Sequence, residues 1–201
     1  MEFLGLAGVP RRAADALEAA ATGMAEMAAE LTALSRGTGQ LDRLAQAHAA
    51  TRRAVHDAYA EAAQMLGGGV DREDVLAIAT SLRAVADRLA ETAPAIEHAD
   101  ADAAPWESLA GVQRDLSREL AGAVAGLDGG RKHIDARLDR ADSLLAEGTR
   151  LLRLARARLL IDQDDVAVAL PALDALRRAE RALVASKSCA RAIRRVLIKH
   201  R

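Results

Sequence analysis

The chain has 201 residues, is 51% hydrophobic and only 1% aromatic, with one Phe, one Tyr and one Trp, and carries a formal net charge of −1. The length suits one domain or two small ones, and Ala and Leu dominate where β-sandwiches and barrels would need β-branched and aromatic residues. An all-α fold follows, and an aromatic stacking platform for single-stranded nucleic acid is excluded. Cys189 alone can form neither an internal disulfide nor a CxxC zinc site. The N-terminal stretch is too short and too acidic for a signal peptide, and no run has the apolar length of a membrane span. These features together predict a cytoplasmic protein. The small net charge conceals a division: residues 150–201 hold thirteen Lys/Arg against five Asp/Glu, a balance of +8, which leaves −9 on residues 1–149.

Sparse punctuation predicts six long helices. The first covers 10–36 behind Pro10 and stops at Gly37-Thr38-Gly39. The second runs to Leu66 and the Gly67-Gly68-Gly69 break, and the third covers 71–96. Residues 97–105 read as a loop. The fourth helix ends near Leu127, the fifth follows Asp128-Gly129-Gly130 and runs to Ile161, and the sixth continues from Asp162, with Pro171 predicting a kink or a late start. Apolar positions recur at spacings of three and four. In helix three they are Val75, Ile78, Leu82, Val85, Leu89, Thr92 and Ile96. In helix five they run from Ile134 through Leu138, Ala141, Leu145, Gly148, Leu152 and Ala155 to Leu159. Helix two shows the same series from Leu41 to Leu66, interrupted by His48 and Thr51. Such seams belong to antiparallel bundles with short connections.

Two stretches match position for position: Val70-Asp71-Arg72-Glu73-Asp74-Val75 and Ile161-Asp162-Gln163-Asp164-Asp165-Val166. In each, the first Asp suits an N-cap, and the acid three residues later suits the return bond of a capping box. The repeat divides the single domain, residues 1–201, into two three-helix units at about 10–99 and 104–200.

These residues carry a family resemblance. Gly69-Val70-Asp71-Arg72-Glu73-Asp74-Val75 after a long helix bearing His56, together with the closing Ser188-Cys189-Ala190 and Val196-Leu197-Ile198-Lys199, resembles the PhoU-like proteins. The branch resembled is that of the accessory proteins of Pit-type inorganic phosphate transporters. The resemblance implies a bundle of six helices in two pseudo-repeated units. It also implies a non-enzymatic regulator that contacts a membrane phosphate transporter at its cytoplasmic face, and divalent or ferric ions held by (Glu/Asp)-x-x-x-Asp clusters. The expected clusters are thinned. The first pair of acids falls at His48 and Arg52, the second at Arg83 and Asp87, and Leu183 and Lys187 stand where the last helix would carry another. Asp135-Ala136-Arg137-Leu138-Asp139 keeps the motif, with Asp142 on the same side. The candidate metal ligands are therefore Asp87, Asp135, Asp139 and Asp142, and a solvated acidic face is the competing reading.

The basic final third supplies candidate contact residues: Arg150 and Arg153 on helix five, and Arg177, Arg178, Arg181, Arg191, Arg194 and Arg195 on helix six. If these helices are antiparallel neighbours, the charges merge into one patch facing an anionic lipid surface or an acidic protein. Nucleic acid is not expected as a partner, and a homo-oligomer is open. His98 with Asp100 and Asp102 reads as a polar turn, His48 as a satisfied seam residue, and His133 as the exposed start of helix five. Cys189 lies beside Lys187 and Arg191, which would lower its pKa, but it reads better as a small buried residue. There is no Ser/His/Asp set, no phosphate-cradling glycine loop and no Glu-x-x-His pair, so no enzymatic activity and no certain cofactor are expected.

Overall fold

A computed structural model describes residues 10–65, 71–97, 105–128, 131–162 and 166–199. Six α-helices account for nearly all of them: α1 (Arg11–Ser35), α2 (Leu41–Ala63), α3 (Arg72–Glu97), α4 (Trp106–Ala125), α5 (Arg131–Asp162) and α6 (Val166–Lys199), with one 3₁₀ turn over Gly126–Asp128 and no strand among the described residues. The helix ends obey local chemistry. At the end of α1, Gly37 takes φ +71, and the amides of Gly37 and Thr38 donate to the carbonyls of Leu34 and Ala33 at 3.0 Å each. This is a Schellman closure, which requires the left-handed conformation glycine adopts without strain. At the start of α3 the Asp74 carboxylate accepts the Asp71 amide at 3.3 Å, the return bond of the expected capping box. Of the matching cap, Asp162 is the last residue of α5 and does not stand directly before α6, while Asp165, the Gly67–Gly69 break and the His98 turn lie outside the described residues. Helix α6 begins at Val166, later than Asp162, and runs through Pro171. Pro171, the sixth residue of α6, has no amide hydrogen and so forfeits one backbone bond without ending the helix.

The seams face inward as their spacing requires. Val75, Ile78, Leu82, Val85, Leu89, Thr92 and Ile96 are all buried, and so is the α5 series from Ile134 to Leu159. The hydroxyls that interrupt these seams are satisfied locally. Thr51 donates to the Ala47 carbonyl at 2.9 Å and Thr92 to the Arg88 carbonyl at 2.7 Å, so neither leaves a buried polar group unpaired.

Packing follows the pseudo-repeat. Helices α1, α2 and α3 pack on one another, as do α4, α5 and α6; the two units then join through α1 against α4 and α3 against α6. Each junction therefore pairs equivalent helices. Polar bonds mark both. The Thr32 hydroxyl donates to the Ala110 carbonyl at 3.1 Å between α1 and α4. Lys199 Nζ, at the end of α6, meets Asp71 at 2.6 Å and Asp74 at 3.1 Å at the start of α3. Those two carboxylates raise the lysine pKa, chiefly through hydrogen bonds to the charged form.

Candidate functional site

The four candidate metal ligands separate. Asp87 lies on α3, which packs on α1, α2 and α6, whereas Asp135, Asp139 and Asp142 lie on α5, which packs on α4 and α6. Among the described residues no three His, Cys, Asp or Glu side chains come together as a set able to hold a metal ion. Three of the four carboxylates are engaged by other side chains instead. His48 Nε2 lies 2.7 Å from Asp87, and Arg83 lies 3.5 Å from the same carboxylate. The residues standing at two of the thinned cluster positions thus bind each other. In the second unit Arg194 reaches across from α6 to Asp142 at 2.7 Å and Asp139 at 3.1 Å. Both contacts raise the Arg194 pKa, led by the hydrogen bond to Asp142. A guanidinium between two carboxylates supplies the positive charge a cation would bring, so these residues do not fit a resident metal. With the units aligned on Asp71 and Asp162, Arg83 and Asp87 correspond to Asp174 and Arg178. The latter pair also bonds, at 2.8 Å, with the charges exchanged.

The basic residues sort into two groups by what they touch. Arg194 and Arg178 are internal fasteners: Arg178 binds Asp174 and also donates to the Glu91 carbonyl of α3 at 3.2 Å. Arg156 joins them, binding Glu180 at 2.6 Å and 3.3 Å between α5 and α6. That bond, with the nearby charge of Arg177, holds the Glu180 carboxyl below its ordinary pKa. By contrast Arg150, Arg153, Arg181, Arg191 and Arg195 are exposed and make no ion pair with any described residue. Helices α5 and α6 are indeed packed together, so these free cations stand on adjoining helices.

Sequence reading missed the apolar component of the same region. The large hydrophobic side chains left exposed among the described residues are Leu154, Ile161, Leu170, Val184 and Ile198, and all lie on α5 or α6. The available signal was positional: Leu170, Val184 and Ile198 fall outside the buried series of α6 that runs through Leu176, Leu183, Ile193 and Val196.

Two interior features have no room for chemistry. Cys189 is fully buried, and desolvation pushes its thiol pKa up to about 11 against a small opposing hydrogen bond from Ser81. The flanking Lys187 and Arg191 point to solvent and do not activate it, so a neutral thiol is the form present at neutral pH. Where α1, α3, α4 and α6 meet, Leu31, Trp106, Gln113 and Leu183 line a cavity of about 20 Å³, room for about one water molecule. Gln113 Nε2 donates to Ser186 at 3.0 Å and Ser117 at 3.4 Å, while its Oε1 has no hydrogen-bond partner among the described residues. No organic substrate fits there.

No described helix is long and apolar enough to cross a membrane. No protein-family model matches the chain, and no curated protein matches its sequence.

Proposed function

We propose that the protein is a non-enzymatic, PhoU-like regulator that acts by protein contact on an inorganic phosphate transporter of the Pit type, at its cytoplasmic face. The observation that supports this reading is the doubled three-helix architecture joined through equivalent helices, with the Asp71–Val75 cap seated at one of the joints and held by Lys199. The regulator works without a resident metal, because three of the four candidate carboxylates, Asp87, Asp139 and Asp142, are committed to His48, Arg83 and Arg194. Co-purification of the tagged chain with the transporter, and a change in phosphate uptake when the chain is removed, are the expected results. Neither association nor any effect on uptake would overturn the reading. Calorimetric titration with divalent and ferric ions should show no stoichiometric binding; a bound equivalent would overturn the metal-free part alone.

A second reading has its own support. Ion pairs at the cluster positions fit a structural or oligomerising bundle that kept the architecture and lost the regulatory role. A stable oligomer with no effect on phosphate uptake would favour it.

A further inference from the structure

We propose that the outward face of α6, with the adjoining face of α5, docks on an anionic phospholipid bilayer. On α6, Leu170, Val184 and Ile198 are exposed to 59%, 59% and 58% and stand two heptads apart. Arg177, Arg181, Arg191 and Arg195 are exposed and fall into the same series of threes and fours. Residues so spaced share one side of a helix, here over about 40 Å of its length. The flanks of that side are fixed by contacts already made: Arg194 turns toward α5 and Arg178 toward α3. The stripe between them looks outward.

Its charge is mainly positive: within that series Asp174 is the one acid, 55% exposed and bound to Arg178. Asp174 and Glu180 are the acids of α6, each bound to a guanidinium, and no acid follows Glu180 to the end of the chain. On α5, Arg150 and Leu154 lie four residues apart, both exposed and away from the buried seam; Glu147 is the exposed acid beside them. Elsewhere the chain is acidic, with −9 over residues 1–149, so the molecule is polarised toward this face.

The texture of the face selects the occupant. A protein interface draws its strength from a contiguous, desolvated patch with aromatic anchors. Here the apolar side chains are single, about 20 Å apart along the helix, and no described aromatic residue joins them: Trp106 is buried and Tyr59 lies on α2. Isolated Leu, Val and Ile side chains in a field of arginines suit insertion between anionic headgroups, with the guanidinium groups on the phosphates. A second copy is a poor occupant, because twofold pairing of the face would set arginine against arginine.

The test uses the purified full chain and vesicles with no other protein, so its outcome is separable from that of the transporter reading. The chain is expected to sediment with vesicles containing phosphatidylglycerol, to ignore pure phosphatidylcholine, and to be released at about 0.5 M salt, where screening is short-ranged. Combined Arg181→Glu, Arg191→Glu and Arg195→Glu should weaken partitioning by at least about 100-fold. Val184→Ser with Ile198→Ser should weaken it about tenfold. Circular dichroism checks that these exposed changes leave the helices intact. Wild-type chain that ignores phosphatidylglycerol vesicles, binds both vesicles equally, or loses nothing on triple charge reversal would overturn the proposal. Capture of an acidic protein through this face without vesicle binding would also overturn it.

Discussion

The two three-helix units share a plan and differ in what fastens them. In the first, α1 and α2 meet through small and apolar side chains: Gly23, Met24 and Met27 are buried against the side containing Thr51 and Val55. A Cβ on Gly23 would run into the Thr51 hydroxyl, itself bonded to the Ala47 carbonyl. In the second, guanidinium–carboxylate pairs bridge the helices. Arg137 and Arg140 hold Glu119 between α4 and α5, and Arg156 and Arg194 span α5 and α6. Among the described residues, the first unit leaves no large hydrophobic side chain exposed, while the second leaves five in solvent. One plan thus supports a half whose α1 and α2 close on small and apolar side chains, with His48 bound to Asp87 between α2 and α3, and a half whose outer helices are fastened by several guanidinium–carboxylate pairs and carry further unpaired charge outward. The second half is where an external contact is to be sought.

The largest effect that would sharpen this contrast is in the shared core. Leu82 is fully buried on α3, and Leu82→Ala should cost about 2–5 kcal/mol in denaturant unfolding. Val184→Ala on the outward face of α6 should cost no more than about 0.5 kcal/mol. A substantial loss at Val184 would mean that this face is covered in the isolated protein, and the contrast would fail.

A smaller effect separates the two helix pairs. Gly23→Ala must displace Thr51, whose hydroxyl is tied down, and should destabilise by about 1–3 kcal/mol. At Gly148 a Cβ would meet Leu183 Cδ1 at 2.8 Å. The Leu183 methyls, although buried, end a side chain that no hydrogen bond ties down, and Val112 stands at 3.3 Å, so Gly148→Ala should cost less in the same measurement. Equal losses would show the α5–α6 pair to be as tightly fitted as α1–α2.

The smallest effect concerns the ionic fastening. Glu180 has its pKa lowered by Arg156. Its contribution to stability is therefore present above the ordinary value of 4.5 and is lost as pH falls through the depressed folded value. The pair is partly exposed, with Glu180 at 46%, so the effect should stay below about 1 kcal/mol. Arg156→Met should cost that amount at pH 7 and nothing once Glu180 is protonated. A penalty unchanged down to pH 3 would assign the loss to packing of the arginine stem rather than to charge.

Much of the fold is legible in the residues one at a time. Helix propensity and the series from Val75 to Ile96 and from Ile134 to Leu159 state which side of each helix must leave water. Gly37 and Asp71–Asp74 state where helices close and open, because a left-handed turn and a capping bond are decided within a few residues. The uneven charge was equally plain. What these local signals do not contain is the meeting of distant side chains. That His48 would bind Asp87, that Arg194 would span Asp139 and Asp142, and that Lys199 would seat on the first capping box depend on which helices become neighbours. The candidate acids on α5 thereby ceased to be a ligand set, and Arg194 and Arg178 became fasteners.

The sequence by itself determined an all-helical chain, its buried seams and a basic last third, since propensity, periodicity and net charge act locally. Only the tertiary structure decided which charges remain free and that Leu170, Val184 and Ile198 stay in water beside them. Exposure is a property of what packs against a side chain, and that is settled across the whole bundle.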